Sequence, residues 1–125
     1  MLFHCVVMGK PIPQGRMRHT ATGGGYYSAS SSAHRRLLVA AFVAERPRWG
    51  RPGWQAIEDP SVVHIAIAGA HGSTDLDNHA KQACDALVRA GILAKDSIMV
   101  LRELVVRVVD GPARTVVSVS RWTGA

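Results

Sequence analysis

Between residues 61 and 91 the chain changes its hydrophobic period once, and the break is filled with carboxylates. Ser61–Ala68, with Val62, Val63, Ile65 and Ile67, reads as a buried strand. Further on, Ala80, Ala83, Cys84 and Leu87 recur at helical spacing, and Gly91 stands where a left-handed terminator belongs. The connection runs through His71-Gly72-Ser73-Thr74 and Asp75-Leu76-Asp77, with Asp77 or Asn78 as the expected helix cap. A strand that feeds a helix in this way requires a layered sheet-and-helix domain. It also puts acids at the mouth of the helix.

The rest of the chain fits around that unit. Residues 2–8 are apolar on both faces and predict a central first strand. Residues 9–27 carry Pro11, Pro13, Gly15 and Gly23-Gly24-Gly25, so a long loop without regular structure is expected. Ser30-Ser31-Ser32 offers caps for a helix over 33–45, whose stripe is Leu37, Leu38, Ala41 and Phe42 and which Pro47 ends. Residues 46–60, with Trp49 and Trp54 among Gly and Pro, read as a surface connection. Residues 98–109 and Arg114–Arg121 predict two strands joined as a hairpin by Asp110-Gly111-Pro112-Ala113. The order β-α-β-α-β-β predicts a single α+β domain over 1–125, a small mixed sheet with helices mainly on one side.

Charge divides the chain in two. Net charge is +6, and residues 1–51 hold eight Lys or Arg (Lys10, Arg16, Arg18, Arg35, Arg36, Arg46, Arg48, Arg51) against one acid, Glu45. A polyanion-binding surface therefore belongs to the amino-terminal half. Asp75, Asp77, Asp85 and Asp96 are four of the nine acids and share one short window of the other half. Clustered carboxylates in a basic protein call for a neutralising cation, and hard cations such as Mg²⁺ take oxygen ligands. A basic surface beside such a centre is what a metal-dependent nuclease needs.

Spacing adds detail. In an extended stretch Asp75 and Asp77 point the same way, on either side of Leu76. Lys81 follows Asp77 by one helical turn, Asp85 follows by another, and the short link after Gly91 can return Asp96 towards the pair. Like charges at 4 Å repel by about 4 kcal/mol in a partly screened site unless a cation binds. The structural alternative stays open at this point: Asp77 as a cap, Asp75 solvated, Asp85 paired with Lys81 or Arg89, and Asp96 in a turn.

The window Asp75-Leu76-Asp77-Asn78-x-x-Lys81-x-x-x-Asp85-Ala86-Leu87, followed by Gly91 and Asp96, resembles the RusA family of Holliday junction resolvases. The opening Gly9-Lys10-Pro11-Ile12-Pro13-Gln14-Gly15-Arg16-Met17-Arg18 is similar to that family's Gly-x-Pro-x-Pro-x-Gly-Arg-x-Arg. The resemblance implies Asp75, Asp77 and Asp96 as catalytic Mg²⁺ ligands, with Mn²⁺ as a substitute, and Lys81 as the lysine that assists cleavage. Asn78 and Asp85 would support these ligands from behind. It further implies a homodimer that cuts four-way DNA junctions by paired nicks, leaving 5′-phosphates. Lys95 is a departure, because family members often carry an acid there.

Within that reading Lys10, Arg16, Arg18, Arg35, Arg36 and His71 are the expected DNA contacts. A non-catalytic basic DNA-binding module and a broader flap or fork nuclease are the alternatives. His71 and His79 flank the aspartates, but Mg²⁺ favours oxygen. The glycine run lacks a following Lys-Ser/Thr, so no nucleotide cofactor is expected. Trp49 and Trp54 are expected to anchor their loop, and Cys5 and Cys84 to be buried thiols. No apolar run reaches the length of a membrane span and no signal peptide opens the chain, so a cytoplasmic protein is expected.

Overall fold

The strand Ser61–Ala68 (β4) is the centre of the sheet, hydrogen-bonded on both sides. The computed structural model describes residues 1–124 apart from Arg16, Met17, Thr20, Thr22, Tyr27 and Arg51, and describes only the backbone of Arg18, His19 and Tyr26. The other elements are β1 (Phe3–Met8), β2 (Arg18–His19), β3 (Gly25–Tyr26), α1 (Ala29–Glu45), a 3-10 turn (Arg46–Arg48), α2 (Leu76–Arg89), β5 (Leu101–Val108) and β6 (Arg114–Arg121). The main sheet has the order β1-β6-β4-β5. Only β4 and β5 run parallel, and α2 is the crossover that such a pair requires. The domain is α+β, as expected.

Register explains the core. Phe3, Val119 and Val63 form one row across β1, β6 and β4; Cys5, Val117 and Ile65 form the next. All six are buried, and they face the helices. From α1, Leu38 and Phe42 pack down on these rows; from α2, Ala83, Ala86 and Leu87 do the same. Burying each side chain of Leu, Ile or Phe size contributes about 1.5–3 kcal/mol, so this face holds the domain together. Phe3 meets Phe42 edge-on at 6.0 Å between ring centroids, and Trp49 and Trp54 close the same aromatic group. Trp54 also donates from Nε1 to the Gly91 carbonyl at 2.7 Å. Both tryptophans anchor their loop, as expected.

Several expectations are corrected. The first strand lies at the sheet edge, not its centre: it pairs with β6 alone among the described strands, and apolar residues on both faces do not require two neighbours, since Val6 and Met8 stay exposed on the face away from the helices. The segment 9–27 is not wholly irregular, since β2 and β3 pair as a short ribbon. Helix α1 begins four residues earlier than predicted. Ser28 is its cap, accepting from Ser31 N at 3.2 Å, which leaves Ser30, Ser31 and Ser32 inside the first turn. Leu37 is exposed rather than part of the buried stripe, which is Ser31, His34, Leu38 and Phe42.

The largest correction concerns the last two strands. They are not a hairpin: β5 lies parallel to β4 on one side, and β6 lies antiparallel to β4 on the other. Asp110-Gly111-Pro112-Ala113 therefore crosses the end of β4 instead of turning back on β5. Gly69 permits the crossing. Its φ is +76°, and a Cβ there would stand 2.7 Å from Cβ of Ala113.

Candidate active site

The site grows from the carboxyl end of β4. Past Gly69, the turn 71–74 is held by its own hydrogen bonds: Thr74 N and Thr74 Oγ1 both donate to the His71 carbonyl, at 3.1 and 2.6 Å. Thr74 Oγ1 has then used its only proton, so it accepts from Nε2–H of His79 at 2.8 Å. Nε2 of His79 therefore carries a proton, which in the neutral ring leaves Nδ1 bare. Burial lowers its pKa, and the neighbouring His34 lowers it further. A buried, neutral histidine thus ties the incoming turn to the first turn of α2.

Asp75 is the cap residue of α2, with extended backbone and no side-chain cap bond. This corrects the expected cap at Asp77 or Asn78. It also ends the idea that Asp75 and Asp77 align by strand alternation, because Leu76 and Asp77 are already helical. Asp77 lies in the first turn, where the positive end of the helix dipole favours a carboxylate. Lys81 Nζ stands 4.0 Å from Asp77 Oδ2, the one-turn neighbour expected from spacing. Gly91 has φ +69° and terminates the helix as predicted. Asp96 then sits in the bend before β5, close enough for its charge to act on Cys84. Burial first, and Asp96 second, push the Cys84 thiol up to about 11. Cys5 is likewise buried and raised to about 11, so both cysteines are inert thiols at neutral pH.

These elements enclose a pocket of about 470 Å³. Asp77, Lys81, Asp85 and Asp96 line it with Gln14, over a floor of Ala80 and Cys84, and Leu101 and Leu104 form the β5 wall. Gln14 arrives because its backbone N–H donates to the Asn78 carbonyl at 3.1 Å, so the loop 9–15 is fastened to the first turn of α2. Sequence reasoning read Gln14 only as a variable place in the Gly-Pro-rich opening. No local signal marks a bond between residues so far apart.

The predicted site residues divide into three groups. Asp77, Asp96 and Lys81 come together in the pocket, and Asp75 stands beside it at the helix mouth without lining it. Asp85 lines the pocket but is neutralised from behind, by Arg89 Nε at 2.7 Å and Arg35 Nε at 3.5 Å. Arg35 is thus largely covered, whereas Lys10, Arg36 and His71 are exposed. His71 Nδ1 is engaged with Ser73. Arg16 lies outside the described residues, as does the side chain of Arg18.

Among the described residues no three His, Cys, Asp or Glu side chains stand close enough to hold a metal ion. The donor chemistry nonetheless suits a hard divalent cation. Asp77 and Asp96 present carboxylates to one pocket; among the described residues the first has only a long contact to Lys81 and the second no ion pair. No helix among the described residues is long and apolar enough to cross a membrane. The family model for endodeoxyribonuclease RusA matches residues 8–120, nearly the whole chain. No curated protein matches the chain.

Proposed function

The chain belongs to the endodeoxyribonuclease RusA family, and we propose that it is a Mg²⁺-dependent enzyme that resolves four-way DNA junctions by paired nicks. Family membership makes it a hydrolase of DNA, of a kind that is generally metal-dependent. The observation that carries the finer reading is the convergence of Asp77, Asp96 and Lys81 on one pocket that Gln14 of the amino-terminal loop also lines.

In this reading Asp75, Asp77 and Asp96 hold the cation, which when bound supplies a Lewis acid and lowers the pKa of water. The chain's own groups do the rest. Asp77 keeps the Lys81 ammonium at the pocket, where it offsets charge that develops on the scissile phosphate as water attacks in line. The 3′ oxygen leaves, and a 5′-phosphate remains that a ligase can seal. Asn78 supports the helix mouth, and Lys10, Arg16, Arg18, Arg36 and His71 contact the DNA backbone. Asp85 and Arg35 act together behind the pocket.

The active species in this proposal is a homodimer, because two symmetric strands of a junction must be cut together. Exposed Leu104, Val105 and Val108 on the edge strand β5, and Ile98 and Met99 just before it, supply apolar surface for such an association. Incubation of the protein with a synthetic four-way junction and Mg²⁺ tests the reading. Paired, ligatable nicks across the junction are expected; absence of cleavage with both Mg²⁺ and Mn²⁺ would refute it. Mixed dimers with Asp77→Asn subunits should nick a cruciform plasmid once instead of linearising it.

A further inference from the structure

Asp85 has two sides. Towards the β5 wall it lines the pocket with Asp77 and Lys81; away from it, Asp85 is gripped by Arg35 of α1 and Arg89 of α2. Those two guanidiniums and Arg36 line a separate groove of about 690 Å³ along the outer seam of the helices, floored by Val39 and Ala40. Three guanidiniums line the groove and Asp85 pairs with two of them, Arg35 and Arg89, so the groove is electropositive with a carboxylate held at its inner edge.

We propose that this groove binds a backbone phosphate of a DNA arm, and that Asp85 is a resident counter-ion which the phosphate displaces from the two guanidiniums. The chemistry is that of like for like. A phosphodiester presents two non-bridging oxygens to a guanidinium fork much as a carboxylate presents its two. Arg35 is suited to be the fixed member, with its side chain 13% exposed, and Arg89 the movable one at 56%. Arg89 follows Lys81 by two turns of α2, about 12 Å at 1.5 Å per residue. At about 3.4 Å per nucleotide along one strand, the held phosphate lies roughly three or four nucleotides from the pocket. The proposal rests on the DNA-cleaving reading for the identity of the polyanion, and adds to it Arg89, the seam and the role of Asp85.

Binding of a linear duplex, measured by fluorescence anisotropy in chelator across a salt series, tests it without any cleavage. Arg36→Gln and Arg89→Gln should each flatten the plot of log affinity against log salt, and together by about 0.9, the share of the one phosphate they help to neutralise. Asp85→Asn should tighten duplex binding, on the order of several-fold at low salt, and the gain should vanish in the Asp85→Asn/Arg89→Gln double variant. Arg107→Gln, on the opposite side of the sheet, should leave the slope unchanged. Unaltered slopes in both arginine variants would overturn the proposal, as would a folded Asp85→Asn protein that binds no more tightly. Should Asp85→Asn fail to fold, charge reversal at the exposed Arg36 and Arg89 decides the question, and duplex affinity that does not fall overturns it. Junction cleavage by the same proteins separates the two readings. A wild-type protein that cuts no branched DNA yet shows these slopes loses the resolvase reading and keeps the groove, and the converse result loses the groove alone.

Discussion

Lys81 Nζ and Asp77 Oδ2 face each other at 4.0 Å across one turn of α2, with both side chains mostly in solvent. An exposed pair of this kind contributes about 0.3–0.5 kcal/mol to stability, too little to explain its position at the pocket by folding alone. In the proposed reading its use lies in keeping an ammonium where a phosphate would enter. Lys81→Ala should therefore lower single-turnover cleavage by ~10²-fold or more, the scale of one lost electrostatic donor. Junction affinity should change little. Equal losses in binding and cleavage would make Lys81 a general phosphate contact.

The three aspartates should separate binding from cutting. Asp75→Asn, Asp77→Asn and Asp96→Asn are each expected to abolish Mg²⁺-dependent cleavage while junction binding in chelator is kept or slightly tightened. Asp75 is the most informative of the three, since it caps α2 without lining the pocket. Full activity in Asp75→Asn would leave Asp77 and Asp96 as the cation's carboxylates.

Acid should loosen the seam between the helices. His34 is buried on α1 and its pKa is lowered from 6.5 by burial; His79, its neighbour on α2, is lowered by burial and by His34. A base whose folded pKa is depressed contributes stability that is complete above its unfolded value and is lost as pH falls through that region. Melting temperature measured without divalent ions should thus drop between about pH 7 and pH 5. His34→Gln should shallow the drop, and an unchanged profile would show that the pair does not govern it.

Gly69 is expected to tolerate no side chain. Gly69→Val combines a positive φ with a Cβ placed 2.7 Å from that of Ala113, so it should destabilise the fold by about 2 kcal/mol or more. Denaturant titration gives the value. A loss below half that would mean the crossing loop moves aside at low cost.

Much of the framework was legible because its signals are local. The limits of β4 and β6, the Gly91 terminator and the Asp77–Lys81 spacing all follow from period and turn chemistry within a few residues. What escaped depends on partners remote in sequence. Asp-Gly-Pro-Ala between two apolar runs has the local chemistry of a hairpin, and only the claim of β4 on both strands sends that loop across the sheet end. Residues 2–8 looked central because apolar faces do not reveal whether anything covers them. The pairing of Asp85 with Arg89 is legible from one-turn spacing, whereas that with Arg35, from another helix, is not.

The bond from Gln14 N to Asn78 O has a geometric corollary. It fixes the segment leading into Arg16 and Arg18 to the same helical turn that carries Asp77. In the proposed reading, DNA gripped by that segment and DNA presented to the pocket are spaced by this attachment. The place of the cut proposed here, counted in nucleotides from that grip, would then be a length built into the protein.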